Sequence, residues 1–126
     1  MSDTRLRRWA AEWSSIWEVP SLLDRVEIRF NPRLRRSLGR CDTTSGWVSL
    51  HPCLEHGSTA LLQEVLCHEL AHMAVRLTVR RRVRPHGAEW ARLMRTAGYV
   101  PRARMKLEAI PPDMRRALQP RVLYRP

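Results

Sequence analysis

The sequence has almost no lysine, few acidic residues and no long apolar run. Of its 126 residues, 23 are basic and 12 are acidic, and Lys106 is the single lysine, so arginine supplies nearly all of the +11 net charge. No apolar stretch approaches the ~20 residues that cross a bilayer, and residues 1–8 are too polar for the core of a secretory signal. The composition therefore predicts a protein without a membrane partner.

Cysteine is also scarce. The three cysteines are an odd number, and none of them forms a CxxC pair; they are Cys41, Cys53 and Cys67. This usage argues against a disulfide scaffold and is typical of free thiols in a reducing compartment. We therefore expect a cytoplasmic location.

Phenylalanine and tyrosine are rare, and five tryptophans carry most of the aromatic content. An apolar stripe at helical spacing includes Leu6, Trp9, Trp13, Ile16 and Trp17, and predicts an N-terminal helix that packs on a core. The chain length suits a single domain. We place this domain in residues 1–100, followed by a basic, proline-containing extension, residues 101–126, that packs on the domain or is partly mobile.

The next segments predict a small antiparallel sheet and two further helices. Residues 26–30, 34–41 and 47–51 have strand character, and the last two segments flank a turn-rich stretch. Ser58 is a suitable N-cap for a long helix over residues 60–79. A second helix is expected over residues 86–97, where Gly98 can end it. The predicted fold class is α+β.

The long helix contains an HExxH motif formed by His68, Glu69 and His72. Residues four apart lie on the same face of a helix, about 5–6 Å apart at Cβ, so both imidazoles can reach one Zn²⁺. Glu69 follows the first histidine and can take a proton from a water molecule that the metal activates. The motif therefore predicts a zinc site with Glu69 as general base.

A catalytic zinc site usually has a third protein ligand. His86 is the favoured candidate, because the arginine-rich segment and Pro85 before it interrupt the helical pattern and let the next helix fold back. Glu89, three residues later, is the alternative ligand, or a group that orients an imidazole. The metzincin arrangement is excluded, because Val75 and Thr78 occupy the positions where it requires glycine and histidine.

Five short segments, which include the metal motif and extend beyond it, follow one another in a specific order along the chain. They are residues 31–34, 38–41, 46–50, 66–72 and 86–90. This order, which covers about residues 22–98, resembles the SprT-like family, which includes the Spartan proteases acting on DNA–protein crosslinks. The resemblance implies a zincin-like domain, zinc ligands at His68, His72 and His86, a catalytic Glu69, and hydrolysis of protein or peptide substrates linked to DNA repair.

Arginines flank the predicted site and fill the C-terminal extension. Four lie between the second and third ligands and six follow residue 100: Arg80, Arg81, Arg82, Arg84, Arg102, Arg104, Arg115, Arg116, Arg121 and Arg125. They predict DNA binding through phosphates, although a solvated loop and a solubilising tail are the alternative. The paired-cysteine zinc ribbon of many SprT-like proteins is absent. An alternative function is therefore a basic nucleic-acid-binding protein with a structural or latent zinc site.

Overall fold

The computed structural model describes residues 3–34, 36–103 and residue 112. These residues form four α-helices, one 3₁₀ helix and a three-stranded sheet, which confirms the α+β class. In chain order the elements are α1 (Thr4–Ile16), α2 (Leu22–Arg25), β1 (Glu27–Phe30), β2 (Gly39–Cys41), β3 (Trp47–Leu50), the 3₁₀ helix Pro52–Leu54, α3 (Thr59–Thr78) and α4 (Ala88–Thr96). Most of the predicted C-terminal extension lies outside the described residues.

Helix α1 packs its tryptophan stripe into the core, as predicted. The Asp3 side chain caps the helix by accepting a hydrogen bond from the backbone N–H of Arg5 at 2.9 Å. Trp13 and Trp17 stack with 6.2 Å between ring centroids, and the Trp17 indole N–H donates to the Leu93 carbonyl at 2.9 Å. Helix α1 is thereby attached to α4. The prediction for Ile16 was wrong, since this side chain is 53% exposed.

The sheet has the strand order β1-β3-β2 and is mixed. Strands β2 and β3 form an antiparallel hairpin, whereas β1 runs parallel to β3. The prediction of a wholly antiparallel sheet was therefore wrong. The physical reason lies at Gly46, because the backbone N–H of Glu27 donates to the Gly46 carbonyl at 2.9 Å and aligns the start of β1 with the start of β3.

Gly46 makes this approach possible. It has a φ of 86°, and a Cβ at this position would lie 2.1 Å from the Arg25 carbonyl oxygen. A side chain would therefore exclude β1 from its place beside the hairpin turn. The Asp42 side chain completes the turn by accepting the N–H groups of Thr44 and Ser45.

Helix α3 is the central element, and its N-cap and length agree with the prediction from the sequence. Ser58 is the N-cap and accepts the Leu61 N–H at 3.2 Å. Apolar side chains of α3 are buried against α1, the sheet and α4. Each fully buried leucine of this kind contributes on the order of 1.5–3 kcal/mol to folding. In the described part of the chain, no helix combines the length and apolarity needed to cross a membrane.

Helix α4 begins later than predicted. His86 lies in the turn before α4, because Gly87 is the extended N-cap and its N–H closes the turn on the Arg84 carbonyl at 3.1 Å. His86 and Glu89 therefore do not lie on one helix, and the predicted helix start at residue 86 was wrong. Gly98, with a φ of 96°, follows the last turn of the helix as expected.

Candidate metal centre

Three imidazoles from two parts of the chain meet at one point. The Nε2 atom of His86 lies 3.0 Å from Nε2 of His68 and 3.2 Å from Nε2 of His72. The ring centroids are separated by 4.8–5.0 Å, with interplanar angles of 60–69°. A single Nε2 carries at most one proton, so it cannot make a satisfactory hydrogen bond to two other imidazoles at once. The three histidines are positioned to bind a metal ion.

The spacing of the donor atoms suits zinc. Two nitrogens bound to Zn²⁺ at ~2.0–2.1 Å in a tetrahedral arrangement are about 3.3 Å apart. The two Nε2–Nε2 distances of 3.0 and 3.2 Å are close to this value. Three imidazoles also leave the fourth position open, as catalytic zinc sites do.

Secondary structure explains how the donors converge. His68 and His72 occupy successive turns of α3, so their side chains project from the same face. His86 reaches them from the turn between α3 and α4. The position of this turn depends on α4 packing against α3, which buries Trp90 and Met94.

Trp90 forms one wall of the centre. Its ring stacks on His72 at an interplanar angle of 20° and meets His68 and His86 edge to face. Its indole N–H donates to the His68 carbonyl at 3.1 Å. The residue is 2% exposed, so it holds all three imidazoles from the protein interior.

Burial keeps the donors ready for a metal. It lowers the pKa of His72 to about 4, with a smaller contribution from the nearby His86. Burial also lowers the pKa of His86. Metal binding requires neutral imidazoles, and these shifts favour the neutral form at pH 7.

Glu69 is enclosed between α3 and β2. The residue is 0% exposed, and β2 crosses it at Gly39. A Cβ on residue 39 would lie 3.0 Å from both Cγ and Oε2 of Glu69, and 2.9 Å from Cγ1 of Val65. Nothing in the local sequence around Gly39 indicates this contact with Glu69. Its absent side chain leaves the space that the Glu69 side chain fills.

The alternative ligand, Glu89, is engaged elsewhere. Its Oε2 accepts a hydrogen bond from Arg81 at 2.6 Å, with the Glu89 side chain 22% exposed. The group of side chains that can share a metal ion contains His86 and lacks Glu89. The geometry therefore supports His86 as the third donor, while the catalytic roles of the individual residues stay predictions.

Other chemically active side chains have structural surroundings. The Nδ1 of His51 accepts the Cys53 N–H at 3.1 Å and caps the 3₁₀ helix, whereas His56 is exposed. Cys67 is fully buried, and burial raises the pKa of its thiol. Burial, followed by the charge of Glu69, raises the pKa of Cys41 to about 12. These thiols are therefore protonated and weakly nucleophilic at neutral pH.

A basic cleft of about 680 Å³ opens beside the three histidines. We call it the arginine cleft, and it is lined by Cys41, Thr43, His72, Val75, Arg76, Val79, Arg80, Arg82, Val83, Arg84 and Pro85. Positive charge therefore lies next to the metal centre, as predicted from the position of the arginines. Arg81 does not line the cleft. Arg102, the first arginine of the predicted tail, pairs with Glu64 at 3.3 Å.

Comparison with known proteins gives a family and no structural relative. No solved structure matches the chain. The model of the SprT-like family matches residues 6–114, which is most of the chain. The match includes most of α1, the sheet, and both segments that supply the three histidines. The chain therefore belongs to the SprT-like family.

Proposed function

We propose that the protein is a zinc-dependent metallopeptidase. The observation that carries this proposal is the convergence of three histidine Nε2 atoms beside a helix that also bears Glu69. Family membership supports it, because SprT-like domains are related to zinc metallopeptidases such as Spartan. Bound Zn²⁺ supplies Lewis-acid activation of the scissile carbonyl and of a water molecule.

Glu69 is the proposed proton carrier. It follows His68 directly, so its side chain leaves α3 about 100° around the helix axis from the first imidazole. In this role its carboxylate takes a proton from the attacking water. The oxygen forms a bond to the carbonyl carbon, and the proton moves to the leaving amine nitrogen as the C–N bond breaks.

The edge of the sheet supplies a surface for an extended substrate. Strand β2 pairs with β3 alone in the described sheet, so its other edge is available for backbone hydrogen bonds. Cys41, at the end of β2, lines the same cleft as His72. A peptide added to this edge extends toward the proposed metal ligands, which is a common mode of peptide recognition.

The decisive experiment compares the parent with Glu69→Gln in a proteolysis assay, with zinc content measured by mass spectrometry. We expect the variant to keep its zinc and to lose about 10²-fold or more of its activity, as when a general base is removed. Glu12→Gln, at an exposed position of α1, is the matched control. Equal cleavage by the Glu69 variant and the parent would refute the proposed role.

DNA association is a second candidate function, favoured by the net charge of +11, which arginine supplies almost entirely. In one form of this proposal, DNA directs a cytoplasmic peptidase to proteins crosslinked to it, as part of DNA repair. In the other form, the chain is a nucleic-acid-binding protein with a structural or latent zinc site. The tail arginines from Arg104 onward lie outside the described residues. Binding to single-stranded and duplex DNA should weaken steeply with salt. For duplex DNA, a plot of the logarithm of the binding constant against the logarithm of the salt concentration should have a slope of about −0.9 per phosphate contact. An affinity independent of salt would contradict phosphate binding.

A further inference from the structure

The arginine cleft continues the face of α3 that bears the metal-binding histidines. Val75, Arg76 and Val79 follow His72 at spacings of three, four and seven residues, so they lie on the same helical face. At 1.5 Å per residue, Arg76 lies about 6 Å along the helix from His72. An extended peptide advances about 3.3 Å per residue, so Arg76 is about two peptide residues away from the centre.

The charges around the cleft have one sign. Its lining contains four arginines and no acidic residue: Arg76, Arg80, Arg82 and Arg84. Among the described residues, the one ion pair in this part of the chain uses Arg81, which lies outside the lining. The C-terminal dipole of α3 favours a cation in its last turn, and this accounts for Arg76. It does not account for Arg82 and Arg84, which reach the cleft from the following loop.

We propose that the arginine cleft is a specificity subsite for aspartate and glutamate side chains of the protein substrate. The acidic residues lie two to four positions from the scissile bond, on one side of it. Guanidinium groups bind carboxylates in a bidentate geometry, and four of them around one concavity suit more than one acidic residue. This inference rests on the proposed peptidase function and names the class of substrate.

The shape and lining of the cleft favour an acidic peptide over a nucleic acid. A volume of about 680 Å³ lies within the range of sites that bind small ligands, and it suits a few substrate side chains. Three valines line the cleft between the arginines: Val75, Val79 and Val83. Aliphatic walls suit the methylene groups of glutamate, and the one ring on the lining that could stack a base, the imidazole of His72, is a proposed metal ligand.

The first test measures kcat/KM on pairs of peptides that differ only by Asp/Glu against Asn/Gln at positions two to four from the cleaved bond, on each side in turn. We expect about tenfold faster cleavage of the acidic peptide on one side, and a loss of this preference in the double variant R76Q/R84Q. R7Q/R8Q removes the same charge from exposed positions of α1 and should keep the preference. Equal rates for both peptides of every pair would overturn the subsite.

The second test measures binding without cleavage. Zinc-loaded Glu69→Gln is titrated with a fluorescent acidic peptide, its amide counterpart and a single-stranded oligonucleotide. We expect about tenfold tighter binding of the acidic peptide than of the amide peptide, reduced by R76Q/R84Q and by added salt. An acidic preference in binding, in a protein whose parent cleaves no peptide, would refute the peptidase and keep the subsite. Oligonucleotide binding that R76Q/R84Q abolishes, without any preference between the peptides, would overturn the subsite.

Discussion

Replacing Gly39 by alanine is the sharpest perturbation of the proposed catalytic machinery, because it adds one methyl group where β2 crosses α3. The backbone conformation of Gly39 is one that alanine adopts, since its φ is not in the left-handed region. The added Cβ would lie 2.9 Å from Cγ1 of Val65 and 3.0 Å from Cγ and Oε2 of Glu69. Ordinary contacts between carbon atoms are about 3.5–4.0 Å, so β2 or the Glu69 side chain must shift by about 0.5–1 Å.

Two effects follow from that shift. Overpacking of this kind destabilises a domain by about 1–3 kcal/mol, which lowers Tm by roughly 3–4 °C per kcal/mol for a chain of this size. A misplacement of about 1 Å at a reacting group can reduce the rate by about 10²-fold. For Gly39→Ala we therefore expect kcat to fall by about 10- to 100-fold. Zinc content should be unchanged, because the three atoms nearest to the added methyl group belong to Val65 and Glu69 and to none of the three histidines.

The assay combines zinc stoichiometry, kcat on a peptide substrate and Tm from circular dichroism. Gly98→Ala is the control, because Gly98 has a φ of 96° and a Cβ there would meet nothing within 4 Å. That variant is destabilised by backbone strain of about 1–2 kcal/mol at a distance from Glu69. If Gly39→Ala kept the parental kcat, or if both glycine variants lost the same activity, the positioning argument would be refuted.

Three further predictions concern the metal centre. His86→Ala should weaken zinc affinity by more than about 100-fold, whereas Glu89→Gln should change it less than about threefold, because this carboxylate pairs with an arginine. A chelator titration in which Glu89→Gln weakened zinc affinity more than His86→Ala would make Glu89 the ligand. Trp90→Phe should cost about 1 kcal/mol in urea unfolding of the metal-free protein, since the hydrogen bond from the indole N–H to the His68 carbonyl is lost; unchanged stability would contradict this. The metal-free protein should also lose stability as the pH falls from 6.5 toward about 4, because burial lowers the pKa of folded His72 to about 4 while the unfolded chain binds that proton near 6.5. Unfolding midpoints that stayed constant over this range would exclude the effect.

Local signals in the sequence were sufficient for the central helix and for two of its histidines. The side-chain cap at Ser58 and the uninterrupted helix formers after it depend on neighbours within a few residues. The separation of four residues between His68 and His72 then places both side chains on one face of the helix without further information. The third donor was predicted as a residue, but its placement at the start of a helix was wrong, because the extended Gly87 delays α4 by two residues.

Features that depend on contacts distant in sequence were not predictable. The parallel direction of β1 follows from the approach of Arg25 to Gly46, and nothing in the strand sequences indicates it. The space beside Gly39 is likewise filled by Glu69, a residue thirty positions later in the chain. The cleft arginines were correctly placed near the centre, but the concave shape that they share with Cys41 requires the packed sheet.

The hydrogen bond between the Trp17 indole and the Leu93 carbonyl joins segments 76 residues apart, and it has a consequence for biosynthesis. While the chain is being translated, the Trp17 indole at the end of α1 lacks this acceptor until Leu93 has emerged from the ribosome. The imidazole of His86 emerges only shortly before. Because domains generally fold as units, we expect the nascent chain to acquire its metal late, once nearly the whole domain has been synthesised.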